Sequence, residues 1–266
     1  MVKIAITTNT FGSYDRQDHC VNVLKRFHQS YPLMKPFLLQ YPEDEVPYTD
    51  IEIVRNLKRS SMDLFPNGDK KFPFVNDLFE ISSQLDTEYF VYINSDILIT
   101  KEFLDHIITM APEALAMSRV DCKIINVKDN NVFDISPMRL EAAGFDAFIF
   151  NNNWWKTNKE KFHDMFLGRP VFDNCYAIVM MMNSKNILDN RSRMLYHPYH
   201  KTISFRNDDY YKFNHAQKDK FYKKEMGFWD RIYKKTFGKR DPKSMLNVLP
   251  DEIINLHNFK TDYNNV

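Results

Sequence analysis

Tyr89-Phe90-Val91-Tyr92-Ile93-Asn94-Ser95-Asp96-Ile97-Leu98 decides the fold. Its first five residues are all aromatic or β-branched, a composition that suits a strand packed on both faces. The run stops at three polar residues, and apolar residues resume at once. A rigid strand that delivers a single carboxylate to a sheet edge can bind a divalent cation, with phosphate oxygens completing the coordination. Asp96 also has a local reading, since Asp is a favoured cap for a helix that follows.

Working outward, residues 3–7 read as a buried first strand that ends at a polar loop over 8–13. Val21, Leu24 and Phe27 then fall at helical spacing. Strands are expected over 36–40 and 51–55. Pro73 opens a helix whose Phe74, Leu78, Ile81 and Leu85 form one stripe. Beyond the quoted stretch come a helix near 101–110 and an apolar segment over 114–120. Strands alternating with helices predict an α/β domain, a mostly parallel sheet flanked by helices. In such sheets ligands bind beyond the carboxyl ends of the strands. The clusters at 7–13 and 94–96 both fall at that edge, and the active site is expected there.

The bulk properties narrow the function. The chain has 266 residues, 44% of them apolar, enough for one large domain with an appendage. A net charge of +1 does not point to nucleic acid. Cys20, Cys122 and Cys175 lie far apart and form no CxxC pair, which argues for a reducing compartment and against a zinc–cysteine site. The first residues lack the apolar run of a signal peptide, and no window approaches the length of a membrane span, so a cytosolic protein is expected. Neither GxxxxGK[ST] nor GxGxxG occurs, which removes P-loop and dinucleotide-binding readings.

The segment 88–97 resembles the DxD region of GT-A glycosyltransferases, with Asn94 in place of the first acid. The resemblance spans about residues 1–205 and implies a Rossmann-like GT-A fold, a nucleotide-sugar donor and a divalent metal, manganese or magnesium. It makes Asp96 a metal ligand and Asn94 a ribose or sugar contact. Thr7, Thr8, Asn9, Ser95 and Asn174 are further expected donor contacts, and Lys71 is a candidate for the diphosphate, with Lys70 or Lys58-Arg59 as other sources of charge. Gly144-Phe145-Asp146-Ala147-Phe148-Ile149-Phe150 is similar to a segment near the acceptor in some bacterial enzymes of this type, making Asp146 a candidate base. Gly168-Arg169-Pro170-Val171-Phe172-Asp173-Asn174 resembles their GR…WDN segment with Phe for Trp, so Asp173 is a second candidate; it is also placed to cap the next helix. In Tyr196-His197-Pro198-Tyr199-His200, the resemblance implies a histidine that completes the metal shell, from His197 or His200.

Composition shifts near residue 212. Between 212 and 243 eleven Lys/Arg face four acids, while Tyr222, Met226, Trp229, Tyr233 and Phe237 recur along one helical stripe. This divides the chain into a catalytic domain over 1–211 and a basic, aromatic-rich helical extension over 212–266. The stripe reads as a peripheral contact with the inner face of a membrane, or as a helix packed on the domain. The expected function is hexosyl transfer, inverting or retaining, from a nucleotide-diphosphate sugar to a glycan or lipid-linked glycan, with no nucleic-acid partner. A non-catalytic membrane-associated or glycan-binding protein of the same fold, and a nucleotidyltransferase, are the alternatives.

Overall fold

The structure, a computed structural model, describes residues 3–10, 15–128, 131–140, 144–185, 193–200 and 208–227. Its centre is a six-stranded sheet. The first strand, β1 (Ile4–Thr8), pairs in parallel with β2 (Met34–Leu39) on one side and β4 (Tyr89–Ile93) on the other, and β3 (Glu52–Val54) extends the β2 edge. Beyond β4 lie β9 (Ala147–Asn151), antiparallel to it, and then β6 (Ala114–Met117). The expected mostly parallel sheet is present, closed at one side by a reversed strand.

Side-chain alternation along these strands builds two cores. Ile4, Ile6, Tyr89, Val91, Ile93, Ile149 and Met117 share one face with Cys20 and Leu24 of α1 (Asp15–Ser30) and Phe103 and Ile107 of α3 (Lys101–Met110). Ala5, Phe90, Tyr92, Phe148 and Phe150 point the other way, toward α2 (Val75–Ser83), α4 (Asn152–Asn158) and α5 (Phe172–Asn183). That second core is rich in aromatic residues. Phe79 of α2 is its hub, fully buried and in ring contact with Phe90, Tyr92, Phe148, Phe150, Trp155, Phe162 and Tyr176.

A smaller four-stranded sheet sits beside the carboxyl edge of the first, in the order β5 (Leu98–Ile99), β10 (Leu195–Pro198), β7 (Val120–Lys128), β8 (Asn131–Leu140). The apolar segment expected over 114–120 is therefore divided between two sheets, β6 ending at Met117 and β7 starting at Val120.

The chain continues into α6 (Asp209–Phe221), capped by Asp208, whose carboxylate accepts from the Tyr211 N–H at 2.6 Å. The compositional boundary at 212 falls inside this helix. Asn214 is fully buried and joins α6 to the segment that follows α4, accepting from the Phe166 N–H at 2.8 Å and donating to its carbonyl at 3.0 Å. Tyr222 and Met226, the first two residues of the aromatic stripe, are buried in the aromatic core. Trp229, Tyr233 and Phe237 lie outside the described residues. Among the described residues no helix is long and apolar enough to cross a membrane. Cys20, Cys122 and Cys175 are buried free thiols.

Candidate metal and donor site

Asp96 lies in the turn that follows β4, closed by the Ile97 N–H donating to the Asn94 carbonyl at 3.2 Å. The next helix is α3, and its cap is Thr100, so the capping reading of Asp96 does not hold. Two residues on, Leu98 pairs with Tyr196 of β10, and the neighbouring His197 pairs with Asp121 of β7. The small sheet thus draws three distant segments to one point. His197 presents Nε2 to Asp96 at 3.1 Å, and His200 presents its own Nε2 to the same carboxylate oxygen at 3.5 Å. Asp96, His197 and His200 offer ligand atoms that all lie within 4.8 Å of one another.

A second layer supports them. The other nitrogen of His197, Nδ1, is 3.0 Å from the buried Asp121 carboxylate. That contact sets which ring nitrogen faces the site, as second-layer carboxylates do for metal-binding histidines. Burial disfavours a charged imidazole, but the hydrogen bonds to Asp121 and Asp96 outweigh it and raise the His197 pKa. Burial likewise acts to raise Asp96, and its contacts with His197 and His200 prevail, holding the carboxyl well below the usual range. Arg119 completes this layer, with Nε on Asp121 at 3.2 Å and Nη1 on both oxygens of Asp146 at 2.7 and 2.6 Å. Asp146 also accepts from the Asn94 amide at 2.7 Å. One carboxylate oxygen and two imidazole nitrogens, backed by a buried carboxylate, form a donor set that could hold a divalent transition ion, whereas magnesium favours all-oxygen shells.

Asp173 sits in the first turn of α5, but the helix cap is Val171, and Asp173 instead accepts from the Phe145 N–H at 3.2 Å. Val171 has φ +75°, a strained conformation for a β-branched residue. Such strain is tolerated where the surroundings enforce it, and here it turns the chain into the helix that carries Asp173 and Asn174. Burial, then the nearby charge of Asp146, pushes the Asp173 carboxyl up to about 6.

The other expected contacts divide. The Thr7 hydroxyl is occupied within the fold, donating to the Val91 carbonyl at 3.0 Å and lying 2.8 Å from Ser82 Oγ. Asn9 is buried at the end of the same strand and accepts from Tyr92 OH at 2.7 Å, while the buried Thr8 hydroxyl has no hydrogen-bond partner among the described residues. Ser95 shares the Asp96 turn, and Asn174 donates to Asp173 at 3.3 Å. Lys71 stands over the Tyr41 ring and pairs with Glu43 at 2.5 Å. Arg59 is held by Asp77 and Asp164. Asp121 and Arg119 are the residues that sequence reading missed. Their signal is a pair of charges, Arg119-Val120-Asp121, interrupting an otherwise apolar segment where Asp is disfavoured.

No family model matches the chain, and no curated protein matches it in sequence. Solved structures do resemble it. One is S. aureus TarS 1–349 in complex with UDP-GlcNAc, at TM-score 0.52 and 12% identity over 79% of this chain and 64% of that one. Another is the same TarS fragment with UDP, at TM-score 0.47 and 11% identity over 74% and 61%. A third is 4-diphosphocytidyl-2C-methyl-D-erythritol synthase, at TM-score 0.38 and 12% identity over 80% and 96%. The chain spans less than two thirds of the TarS fragment. The likeness establishes the fold, a Rossmann-like GT-A sheet flanked by helices.

Proposed function

We propose that this chain transfers a sugar from a nucleotide-diphosphate sugar to a hydroxyl of a glycan or lipid-linked glycan, assisted by a divalent metal. The observation that carries this reading is the Asp96–His197–His200 cluster at the carboxyl edge of β4, the edge where α/β sheets bind ligands. The TarS fragment that shares the fold was solved with UDP-GlcNAc, which supports a nucleotide-sugar donor here.

Asp96, His197 and His200 would hold the metal, and Asp121 keeps His197 in its ligating orientation. When bound, the metal supplies charge stabilisation for the departing diphosphate. Asn94 and Ser95 flank that position and are the donor contacts nearest to Asp96. In an inverting transfer a carboxylate must take the proton of the acceptor hydroxyl. Asp173 suits that role better than Asp146. Both Asp146 oxygens are bound by Arg119, whereas Asp173 has a pKa near 6, close to the working pH of a general base. The extension from 212 to 243 is proposed to bring the protein to a membrane surface, where a lipid-linked acceptor would reside.

The test is a thermal-shift screen of nucleoside diphosphates and their sugars, with and without manganese, on the parent and on Asp96→Ala. Stabilisation of the parent only when nucleotide and manganese are both present, and its loss in the variant, is the expected result. Equal stabilisation of both proteins would remove Asp96 from the site.

A further inference from the structure

Asn94 breaks the acidic motif at its first position, and its surroundings give a reason. The antiparallel register of β4 and β9 pairs Ile93 with Ala147, so the next pair along is Asn94 and Asp146. The two are joined twice. The Asn94 N–H donates to the Asp146 carbonyl at 3.1 Å, and the Asn94 side-chain amide donates to Asp146 Oδ1 at 2.7 Å. Asp146 is buried at 3% exposure and is tied down further by its own N–H, which donates to the Met117 carbonyl at 3.0 Å. A carboxylate at position 94 would meet a second carboxylate at hydrogen-bonding distance with little water to separate them, an arrangement that disfavours two charges. An amide removes the conflict and supplies the donor.

We infer that Asp146, on the neighbouring strand, is a buried carboxylate that supports the metal position from behind, and that Asn94 stands where the motif has its first acid because this neighbour requires an amide there. Asp146 is a positioning residue. Through Arg119 it reaches Asp121, through Asp121 it reaches His197, and His197 faces the metal position beside Asp96. The continuous path Asn94–Asp146–Arg119–Asp121–His197 joins two sheets, β4 and β9 of the large one to β7 and β10 of the small one. Its consequence is counter-intuitive: restoring an Asp-x-Asp sequence by mutation damages the metal site. The inference rests on the metal-site reading given above.

The experiment is a four-protein cycle in the full chain: parent, Asn94→Asp, Asp146→Asn, and the double exchange Asn94→Asp/Asp146→Asn. Each is titrated with manganese alone and melted in chelator. The exchange reverses donor and acceptor, since the amide at 146 can donate to the carboxylate at 94 while its carbonyl oxygen accepts from Arg119. Each single variant is expected to bind manganese about tenfold or more weakly, the scale of supporting-layer substitutions. The exchange is expected to recover affinity to within roughly threefold of the parent, the sign of a coupled pair. Manganese binding by Asn94→Asp equal to or tighter than the parent's, or an exchange no better than the weaker single variant, would overturn the inference. Recovery of melting temperature with manganese affinity unchanged throughout would reduce the pair to a structural contact and overturn it too. A parent that binds no manganese overturns the metal reading itself, and the inference with it.

Discussion

Asp121 and His197 are register partners on adjacent parallel strands, and their side chains meet at 3.0 Å, leaving the other imidazole nitrogen to face Asp96. Orientation of this histidine is thus written into the strand pairing. Asp121→Asn keeps the shape but removes the charge and permits the wrong ring tautomer. Manganese affinity is expected to fall by about 10–100-fold, with His200 and Asp96 still in place. A manganese titration checks this, and an unchanged affinity would remove Asp121 from the metal site.

The pH behaviour of Asp173 gives a second expectation. Its carboxyl is raised from 3.8 to about 6, by burial first and by Asp146 next, while the Phe145 N–H works in the opposite direction. A carboxyl raised on folding contributes stability that is complete below the unfolded pKa and is lost as pH rises through the folded one. The parent should therefore lose melting temperature between about pH 4 and pH 6 relative to Asp173→Asn. Turnover should run the other way, climbing through the same window as the base deprotonates. Asp173→Asn should lower turnover by about a hundredfold or more with little change in donor affinity. Normal turnover by this variant would return the search for a base to other residues.

Packing makes the third expectation. Phe79 is fully buried and touches seven other rings, so its removal leaves a void bordered by side chains that are themselves packed against one another. Phe79→Ala should cost about 3–5 kcal/mol, a fall of roughly 10 °C for a chain of this size. Leu64→Ala, at a side chain 49% exposed, should shift melting by about a degree or less. Calorimetry on the two variants distinguishes a shared aromatic core from a set of independent contacts.

The central parallel strands β1 and β4 are legible in the sequence because they are buried on both faces, so 89–93 announces itself without any partner. The small sheet is not. Asp121, Lys123, Asn126 and Asp134 interrupt its hydrophobic period, and Pro137 argues against a strand even though β8 accommodates it at a sheet edge. Asp96 is readable from its place at a strand end, and the two histidines only through resemblance to a family. Asp121 escapes both routes, since its meaning lies in a neighbour 76 residues away. The boundary at 212 has a similar origin. Lysine content rises there, but burial of Tyr210 and Asn214 ties α6 to the domain, and composition does not register which face a helix buries.

The aromatic stripe over 222–237 separates two roles that one helix pattern cannot tell apart. Tyr222 belongs to the core: its hydroxyl accepts from the His163 N–H at 2.8 Å and donates to the Lys161 carbonyl at 3.1 Å, and its ring meets that of His163 and is buried in the cluster that holds Tyr176 and Phe162. Tyr222→Phe should lower stability by about 1–3 kcal/mol through the lost hydrogen bonds and leave membrane binding unchanged. Trp229 lies in the basic segment of the stripe, where each Lys or Arg near an anionic surface contributes about 1 kcal/mol. The parent should sediment with anionic vesicles at low salt and release as salt screens the attraction. Trp229→Glu should weaken that sedimentation while changing the melting temperature by only a few degrees. If instead the parent ignores vesicles and Trp229→Glu melts as early as a core variant, the stripe is buried along its whole length and the membrane-bound acceptor loses its support.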